Sequence, residues 1–206
     1  MARPKGSKRP GIKYLTPSEW QRFAAEVKHD AMYDFLFHLM LAVGGRVTEL
    51  SNLPLSAVDE RARKVQIQGV KGGLLGRYPI EKALWRKYRR WMRHRAEILG
   101  SQSSKWMFPS PAADLRAEGR ALTEQAIKNK FKEVCASAGL SAELSVHSLR
   151  HTCAVFLLRS GVSAPEIQEH LRQRTGDAVM QYLRLFGHEA EEKAERRADA
   201  LSGFMR

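Results

Sequence analysis

Apolar side chains recur at helical spacing over most of the chain. The clearest stripe follows Asp30 and stops at Gly44-Gly45, and its members stand three or four residues apart: Met32, Phe35, Leu36, Leu39, Met40 and Val43. This spacing predicts a core helix that the two glycines terminate. An earlier helix is predicted over residues 17–29, because Thr16 and Glu19 supply the capping box that starts a helix.

One segment follows a different period. Residues 64–68 alternate between apolar and polar side chains, which is the period of a half-buried β-strand. The glycine-rich residues 70–76 predict a loop, and residues 77–80 lead out of a second strand. Lys71 therefore lies at the tip of a predicted β-hairpin or just inside it.

The remaining elements are helical. Spacing and capping residues predict helices over about 81–99, 123–139, 147–159 and 163–171, another that begins at Asp177 and carries Tyr182, and an apolar-striped segment over 189–206. Residues 101–123 are loop-rich. The predicted fold class is α+β: mainly helical, with one small antiparallel β-sheet.

The charge of the chain indicates its partner. Thirty-five Lys and Arg against 22 Asp and Glu leave a formal net charge of +13, which favours a polyanionic partner. Nucleic acid is the leading candidate, and RNA and an anionic membrane surface are the alternatives to DNA. We expect no transmembrane helix and no secretion signal, because no long uncharged apolar run occurs. The two cysteines, Cys135 and Cys153, form no metal-type pair and are expected to stay reduced in the cytosol.

Two basic segments are candidate DNA contacts. Residues 1–13 predict a basic flexible arm that either follows phosphates or stays a solvated tail; its basic side chains include Lys5, Lys8, Arg9 and Lys13. The helix over 81–99 places Tyr88 and Trp91 on an inward stripe, and it carries basic side chains on another face: Arg86, Arg90 and Arg93. Its aromatic residues are interpreted as core rather than as base-stacking residues.

Several polar residues match the requirements of phosphodiester cleavage without a metal. Such a reaction needs arginines to neutralise the phosphorane, a nucleophile, and a general acid for the leaving oxygen. His147 and Arg150 stand three residues apart at a helix start, where a phosphate is favoured. Arg46 also lies at a helix start, and Glu49 is placed to hold it. Taken singly, each of these residues is ordinary.

Lys71 and Tyr182 complete the set. A lysine on a glycine-rich hairpin can reach a leaving oxygen, and a tyrosine phosphate ester stores the bond energy for rejoining the strand. Together, the motifs GGRVTEL, GVKGG, HSLRHTCAVFLLRSG and VMQYLRLFGH resemble the tyrosine recombinase (phage integrase) family, in the family's order, over roughly residues 14–185.

The resemblance implies a role for each matching residue. Arg46 and Arg150 would clamp the scissile phosphate, His147 would contact it and assist proton transfer, and Lys71 would be the general acid for the 5′-oxygen. Tyr182 would form a 3′-phosphotyrosyl link. Glu49 would support Arg46, and His151 would fill the structural position after the second arginine. No cofactor and no metal are expected.

The chain departs from the family pattern in two places. The family commonly has His or Trp nine residues before the tyrosine, often in Leu-Gly-His, whereas this chain has Gln173 in the sequence Leu171-Arg172-Gln173. Glutamine can donate a hydrogen bond to phosphate but cannot carry a proton, and His170 is a nearby substitute or a surface histidine. The other departure is length, since only the basic arm precedes Leu15, as in minimal members that are a catalytic domain alone.

The expected organisation is a basic arm over 1–13, a DNA breaking-rejoining domain over 14–185 and a C-terminal helix over 186–206. That helix either docks on a neighbouring subunit or packs on its own domain. The resemblance implies double-stranded DNA with a specific site, a tetramer on DNA, possible accessory DNA-bending proteins and a cytoplasmic, nucleoid-associated location. The alternatives to a recombinase are a type IB topoisomerase-like enzyme and a DNA-binding regulator on a weakened catalytic scaffold, which Gln173 favours.

Overall fold

The computed structural model describes residues 12–69, 73–174, 176, 180, 182 and 183. The described elements are, in chain order, α1 (Pro17–Val27), α2 (Ala31–Val43), α3 (Val47–Ser51), a 3-10 turn (Leu55–Ala57), β1 (Val58–Asp59), β2 (Lys64–Gln68), β3 (Leu75–Pro79), α4 (Lys82–Leu99), α5 (Ala113–Ala117), α6 (Glu124–Ser137), α7 (Ser148–Arg159) and α8 (Ala164–His170). The predicted mainly helical α+β fold is confirmed.

The first two helices begin where their capping residues predict. The Thr16 side chain accepts from the Glu19 N–H, and the Glu19 carboxylate accepts from the Thr16 N–H, so α1 has a complete capping box. The Asp30 carboxylate accepts from the backbone of Tyr33 and caps α2. At its other end α2 stops at Gly44, which has a φ of +54°, a left-handed conformation that favours glycine.

The small sheet is antiparallel, in the order β1-β2-β3. Val65 lies opposite Val58 on one side and opposite Tyr78 on the other, and its side chain is buried, as the alternating pattern predicts. The sequence predicts β2 and β3 but not the additional strand β1, the 3-10 turn or α5. These last three elements have two, three and five residues, so each is shorter than two periods of its own strand or helix pattern.

Two hydrophobic clusters form the interior. The large core is rich in aromatic side chains from α1, α2, α4, α6 and the loop after α4, among them Phe23, Phe35, Phe37, Trp91, Phe108 and Phe131. The small core lies around the second half of α7 and α8 and contains Ile12, Tyr14, Cys153, Ala154, Val155, Leu158, Ile167, Leu171 and Tyr182. Helix α7 contributes to both, since its Leu149 belongs to the large core.

Helix α4 packs against α2 through its aromatic stripe. Tyr88 and Trp91 are buried, and the Trp91 indole N–H donates to the Met107 carbonyl at 3.1 Å, so these aromatics are core residues. The sequence did not indicate that Arg95 is buried on the same helix, where its Nη2 donates to the carbonyls of Ser104 and Trp106 at 2.7 and 2.8 Å. None of the helices in the described ranges has the length and apolarity needed to cross a bilayer.

Candidate active site

The turn between α2 and α3 positions the first arginine. Arg46 is the N-cap of α3, where its backbone N–H donates to Glu49 Oε2 at 2.8 Å and its Nη1 donates to Glu49 Oε1 at 2.8 Å. The Glu49 side chain is fully buried, whereas 30% of the Arg46 side chain is exposed. The predicted pair is therefore present, and it leaves part of the Arg46 side chain exposed to solvent.

Arg150 is the second arginine and lies in the first turn of α7. Its side chain is buried, and Nη1 and Nη2 donate to the carbonyls of Gly44 and Leu171, both at 2.5 Å. Burial lowers the pKa of Arg150 to about 10, and the charges of Arg46 and Arg172 act in the same direction. Arg150 remains a cation at neutral pH, and it lies close enough to Arg46 for their charges to interact.

His147 stands at the start of α7, one turn from Arg150. Desolvation and then the positive charges of Arg150 and Arg46 lower the pKa of His147. Its ring meets the ring of His151 edge-on, with 4.6 Å between the centroids. A phosphate between the two arginines would oppose the effect of their charges and favour the protonated form of His147.

The structure brings Tyr182 to this cluster. The Tyr182 phenol is buried, and its Oη lies 2.6 Å from Nδ1 of His151. Burial raises the pKa of Tyr182 to about 12, and the charge of Arg150 opposes that rise. Burial, then His147 and Arg150, lowers the pKa of His151 to about 4. At neutral pH the phenol is protonated and the imidazole is neutral, so Nδ1 can accept the phenol hydrogen when the ring proton is on Nε2. After the roles that the sequence predicts for them, we call Arg46, His147, Arg150, His151 and Tyr182 the catalytic cluster.

Gln173 and His170 occupy different surroundings. The Gln173 Oε1 is buried without a hydrogen-bond partner among the residues that the structure describes. His170 Nε2 lies 3.0 Å from the Ala42 carbonyl, and its ring packs edge-on against Tyr78. His170 therefore binds a carbonyl at the end of α2, and we do not interpret it as the counterpart of the family's histidine.

The other predicted contacts lie apart from the cluster or outside the described residues. Lys71, Lys5, Lys8, Arg9 and the segment 186–206 belong to the part of the chain that is not described. Lys13 is exposed and paired with Glu143. Arg86 and Arg93 are exposed on α4, whereas Arg90 donates to the carbonyls of Lys28 and His29 at 2.5 and 3.3 Å and so caps the end of α1. The predicted DNA contacts of these arginines stay predictions.

Sequence reasoning missed Arg172. Its side chain is fully buried, its Nη2 donates to Glu49 Oε2 at 2.8 Å, and its backbone φ is +55°. The signal that could have found it is its position, because Arg172 stands where the resembling family has the glycine of Leu-Gly-His. A charged side chain that is buried at such a position needs a partner.

Known proteins resemble this chain in sequence. Residues 13–188 match the phage integrase family. The chain is 29% identical over 171 residues to tyrosine recombinase XerC of Alcanivorax borkumensis, which covers 80% of this chain and 53% of that protein. It is 32% identical over 161 residues to tyrosine recombinase XerD of Rhizobium meliloti, covering 77% of this chain and 47% of that protein. The chain thus spans about half the length of these curated relatives.

Solved structures share the fold. The XerA recombinase superposes with a TM-score of 0.74 at 21% identity, over 93% of this chain and 66% of that one. A λ integrase tetramer bound to a Holliday junction superposes with a TM-score of 0.63 at 18% identity, over 86% of this chain and 49% of that one. The family match extends over well more than half of the sequence, and the chain therefore belongs to the phage integrase family.

Proposed function

We propose that this chain is the catalytic domain of a site-specific DNA recombinase that cuts and rejoins strands through a 3′-phosphotyrosyl intermediate. The observation that carries the proposal is the convergence of the catalytic cluster: two arginines and a histidine stand beside a tyrosine whose Oη is 2.6 Å from His151. These groups come from the start of α3, the start of α7 and the segment after α8.

In the proposed reaction, Tyr182 Oη attacks the scissile phosphorus. A bond forms between Oη and phosphorus, and the bond between phosphorus and the 5′-oxygen breaks. Arg46 and Arg150 hold the non-bridging oxygens and neutralise the charge that develops on them. Lys71 gives a proton to the departing 5′-oxygen, and the reverse sequence rejoins a strand.

The two histidines have different surroundings and, in this proposal, different roles. His147 lies at the exposed start of α7, where it can donate to a phosphate oxygen. His151 holds the phenol and, being neutral, is placed to take its proton as Oη attacks. Gln173 would donate a hydrogen bond from its amide to the phosphate in place of the family's His or Trp.

The proposed substrate is double-stranded DNA with a specific recombination site. The net charge of +13 supports a polyanionic ligand, and the structurally similar λ integrase tetramer is bound to a Holliday junction. By this likeness we propose a tetramer on DNA, with accessory DNA-bending proteins as further candidates. A DNA substrate of this kind places the protein with the nucleoid in the cytoplasm.

A second candidate is a DNA-binding regulator that has lost efficient cleavage. Gln173 favours it, because an amide cannot carry a proton at a position where the family commonly has His or Trp. The two candidates differ in one observable, a covalent bond between protein and DNA.

A trapping experiment separates these candidates. A pool of duplexes with randomised cores and 5′-bridging phosphorothiolates would be incubated with the protein, and adducts that resist SDS would be collected and sequenced. The recombinase proposal predicts adducts that disappear in Tyr182→Phe while DNA binding is retained. A wild-type protein that binds DNA and yields no adduct would favour the regulator.

The same substrate tests Lys71. A thiolate leaves without protonation, so Lys71→Ala should cleave the phosphorothiolate nearly as fast as the wild type and the ordinary phosphodiester much more slowly, by about 10²–10⁴-fold. Equal losses on both substrates would contradict the general-acid role.

A further inference from the structure

Three basic side chains from the second half of the chain bind the carbonyls at the end of α2. The pairs are His170 with Ala42 at 3.0 Å, Arg172 with Val43 at 3.0 Å and Arg150 with Gly44 at 2.5 Å. The last carbonyls of a helix have no partner within the helix, and cations are favoured beside them. Arg150 belongs to the catalytic cluster, and His170 caps the helix end. Arg172 differs from both because it also contacts α3 and β3.

Arg172 joins this helix end to two other elements. Its Nη2 donates to Glu49 of α3 at 2.8 Å, and its Nη1 donates to the Tyr78 hydroxyl of β3 as well as to the Val43 carbonyl. The Tyr78 hydroxyl in turn donates to the His170 carbonyl at 2.5 Å, and the guanidinium carbon lies 5.2 Å from the centre of the Tyr78 ring. One side chain thus holds α2, α3 and β3 together.

The Glu49 carboxylate is shared between two arginines. Its Oε1 accepts from Arg46 Nη1, and its Oε2 accepts from the Arg46 N–H and from Arg172 Nη2. Burial opposes the ionisation of Glu49, but the bonds from Arg46 and Arg172 outweigh it and the pKa is lowered. The direction in which Glu49 holds the Arg46 guanidinium therefore depends on Arg172.

The backbone of Arg172 supports a specific role for its side chain. At a φ of +55° glycine is unstrained, whereas a residue with a Cβ is destabilised. Such a conformation persists where the surrounding contacts determine it, and here those contacts are made by the guanidinium. The Arg172 guanidinium donates to the Val43 carbonyl, the Tyr78 hydroxyl and the Glu49 carboxylate, so its contacts in the described structure are with protein groups.

We propose that Arg172 is a positioning residue for strand cleavage: through Glu49 it sets the Arg46 guanidinium against the scissile phosphate. Through Tyr78 it ties the β2–β3 hairpin to the same point. The proposal rests on the recombinase function proposed above. A displacement of about 1 Å at a reacting centre can cost about 10²-fold in rate, so a residue that never touches DNA can control cleavage.

The test compares Arg172→Met with Arg95→Met in single-turnover cleavage at saturating DNA. Arg95 is a matched control, because it is also a buried arginine that donates to two backbone carbonyls and lies on α4, away from the catalytic cluster. Both variants should lose stability. Arg172→Met should cleave about 10²-fold more slowly with DNA affinity within about twofold of the wild type, while Arg95→Met should cleave at the wild-type rate where it is folded.

Two further variants separate positioning from support of the fold. Arg172→Lys keeps the charge beside Glu49 and should recover part of the lost rate. Arg172→Gly relieves the backbone and should recover stability but not rate. Combining Arg172→Met with Glu49→Gln should cost little more than Glu49→Gln alone, because the two residues act through one contact. The proposal would be overturned if the rate losses of the two single variants multiplied in the double variant. It would also be overturned if Arg172→Met lost only DNA affinity.

A measurement without DNA keeps this inference distinct from the proposed function. In ¹⁵N spectra, the paired Arg46 guanidinium should give a resolved signal in the wild type and in Arg95→Met that broadens in Arg172→Met. An unchanged signal would overturn the positioning role even in an active enzyme. If the signal broadens and the wild type forms no adduct, the positioning holds and the recombinase function fails.

Discussion

The large core and the small core are built by different interactions. The large core is a continuous set of apolar side chains in which rings pack directly, such as Phe23 against Phe131 with centroids 5.1 Å apart. The small core, which contains Tyr182, meets the end of α2 through polar bonds from Arg150, Arg172 and His170 to backbone carbonyls, beside the apolar side chain of Leu41.

Stability and chemistry are coupled differently in the two cores. Around Phe131 in the large core, the ring contacts are with Phe23 and Phe37 and not with Arg46, His147 or Tyr182, so we expect these side chains to contribute to folding alone. At the junction of the small core, Arg150 both joins α2 to the segment after α8 and lies near Tyr182, the proposed nucleophile. Substitutions in the two regions should therefore separate stability from cleavage.

The largest effect is expected from Arg150→Ala. It removes a proposed phosphate ligand and leaves the carbonyls of Gly44 and Leu171 without their donor. Adduct formation should fall by at least about 10²–10³-fold, and the free energy of unfolding should fall by about 3 kcal/mol. Quench-flow kinetics measure the rate of adduct formation, and urea denaturation measures the free energy of unfolding. Arg95→Ala should lose comparable stability and keep its cleavage rate; equal rate losses would remove the distinction between the regions.

A truncation in the large core should show the opposite pattern. Phe131 is fully buried against Phe23 and Phe37, so Phe131→Ala should lower the free energy of unfolding by about 3–5 kcal/mol. Below its unfolding temperature the variant should cleave within about twofold of the wild type. A cleavage rate that falls in step with stability would show that the large core also shapes the site.

Gly44 tests the packing at the junction itself. Its φ of +54° disfavours other residues, and a Cβ there would overlap the Leu171 side chain. Gly44→Ala should therefore cost about 2–3 kcal/mol of stability and slow cleavage. Gly161→Ala is the matched control, because Gly161 also has a positive φ but nothing lies within 4 Å of an added Cβ. It should cost about 1 kcal/mol and leave cleavage unchanged. Indistinguishable unfolding free energies for the two variants would argue against close packing at this junction.

The smallest effect concerns His151 and pH. Its pKa is lowered from 6.5 to about 4 in the folded chain, so between these values the unfolded chain binds more protons and stability decreases as the pH falls. Between pH 7 and 5.5, His151 should account for a loss of about 1 kcal/mol. His151→Gln should lose less stability over that interval in urea titrations. Part of the pH dependence of the unfolding free energy should remain in the variant because His147 also titrates with a lowered pKa. A pH dependence equal to that of the wild type would contradict a buried neutral His151.

The fold was largely predictable because its helices are long and periodic. The stripe of α2, its end at Gly44 and the cap at Thr16 all follow from local chemistry. Strand β1 and helix α5 were missed, since a two-residue strand and a five-residue helix are each shorter than two periods of their pattern.

The site was predictable to a different degree. The motifs singled out Arg46, Glu49, His147, Arg150 and Tyr182, and the structure brings these residues together. Arg172 was missed because its role depends on Glu49 and Tyr78, which lie 123 and 94 residues away in sequence. No local pattern reports a contact of that kind.

The proposed recombinase requires Tyr182 as its nucleophile, and the residue to which DNA becomes attached identifies the nucleophile. The trapped adduct would be digested with nuclease and trypsin and mapped by mass spectrometry. Trypsin releases Tyr182 in the peptide 175–184, apart from the other four tyrosines of the chain. We predict the nucleotide mass on Tyr182 alone. A nucleotide on any other residue would contradict the claim.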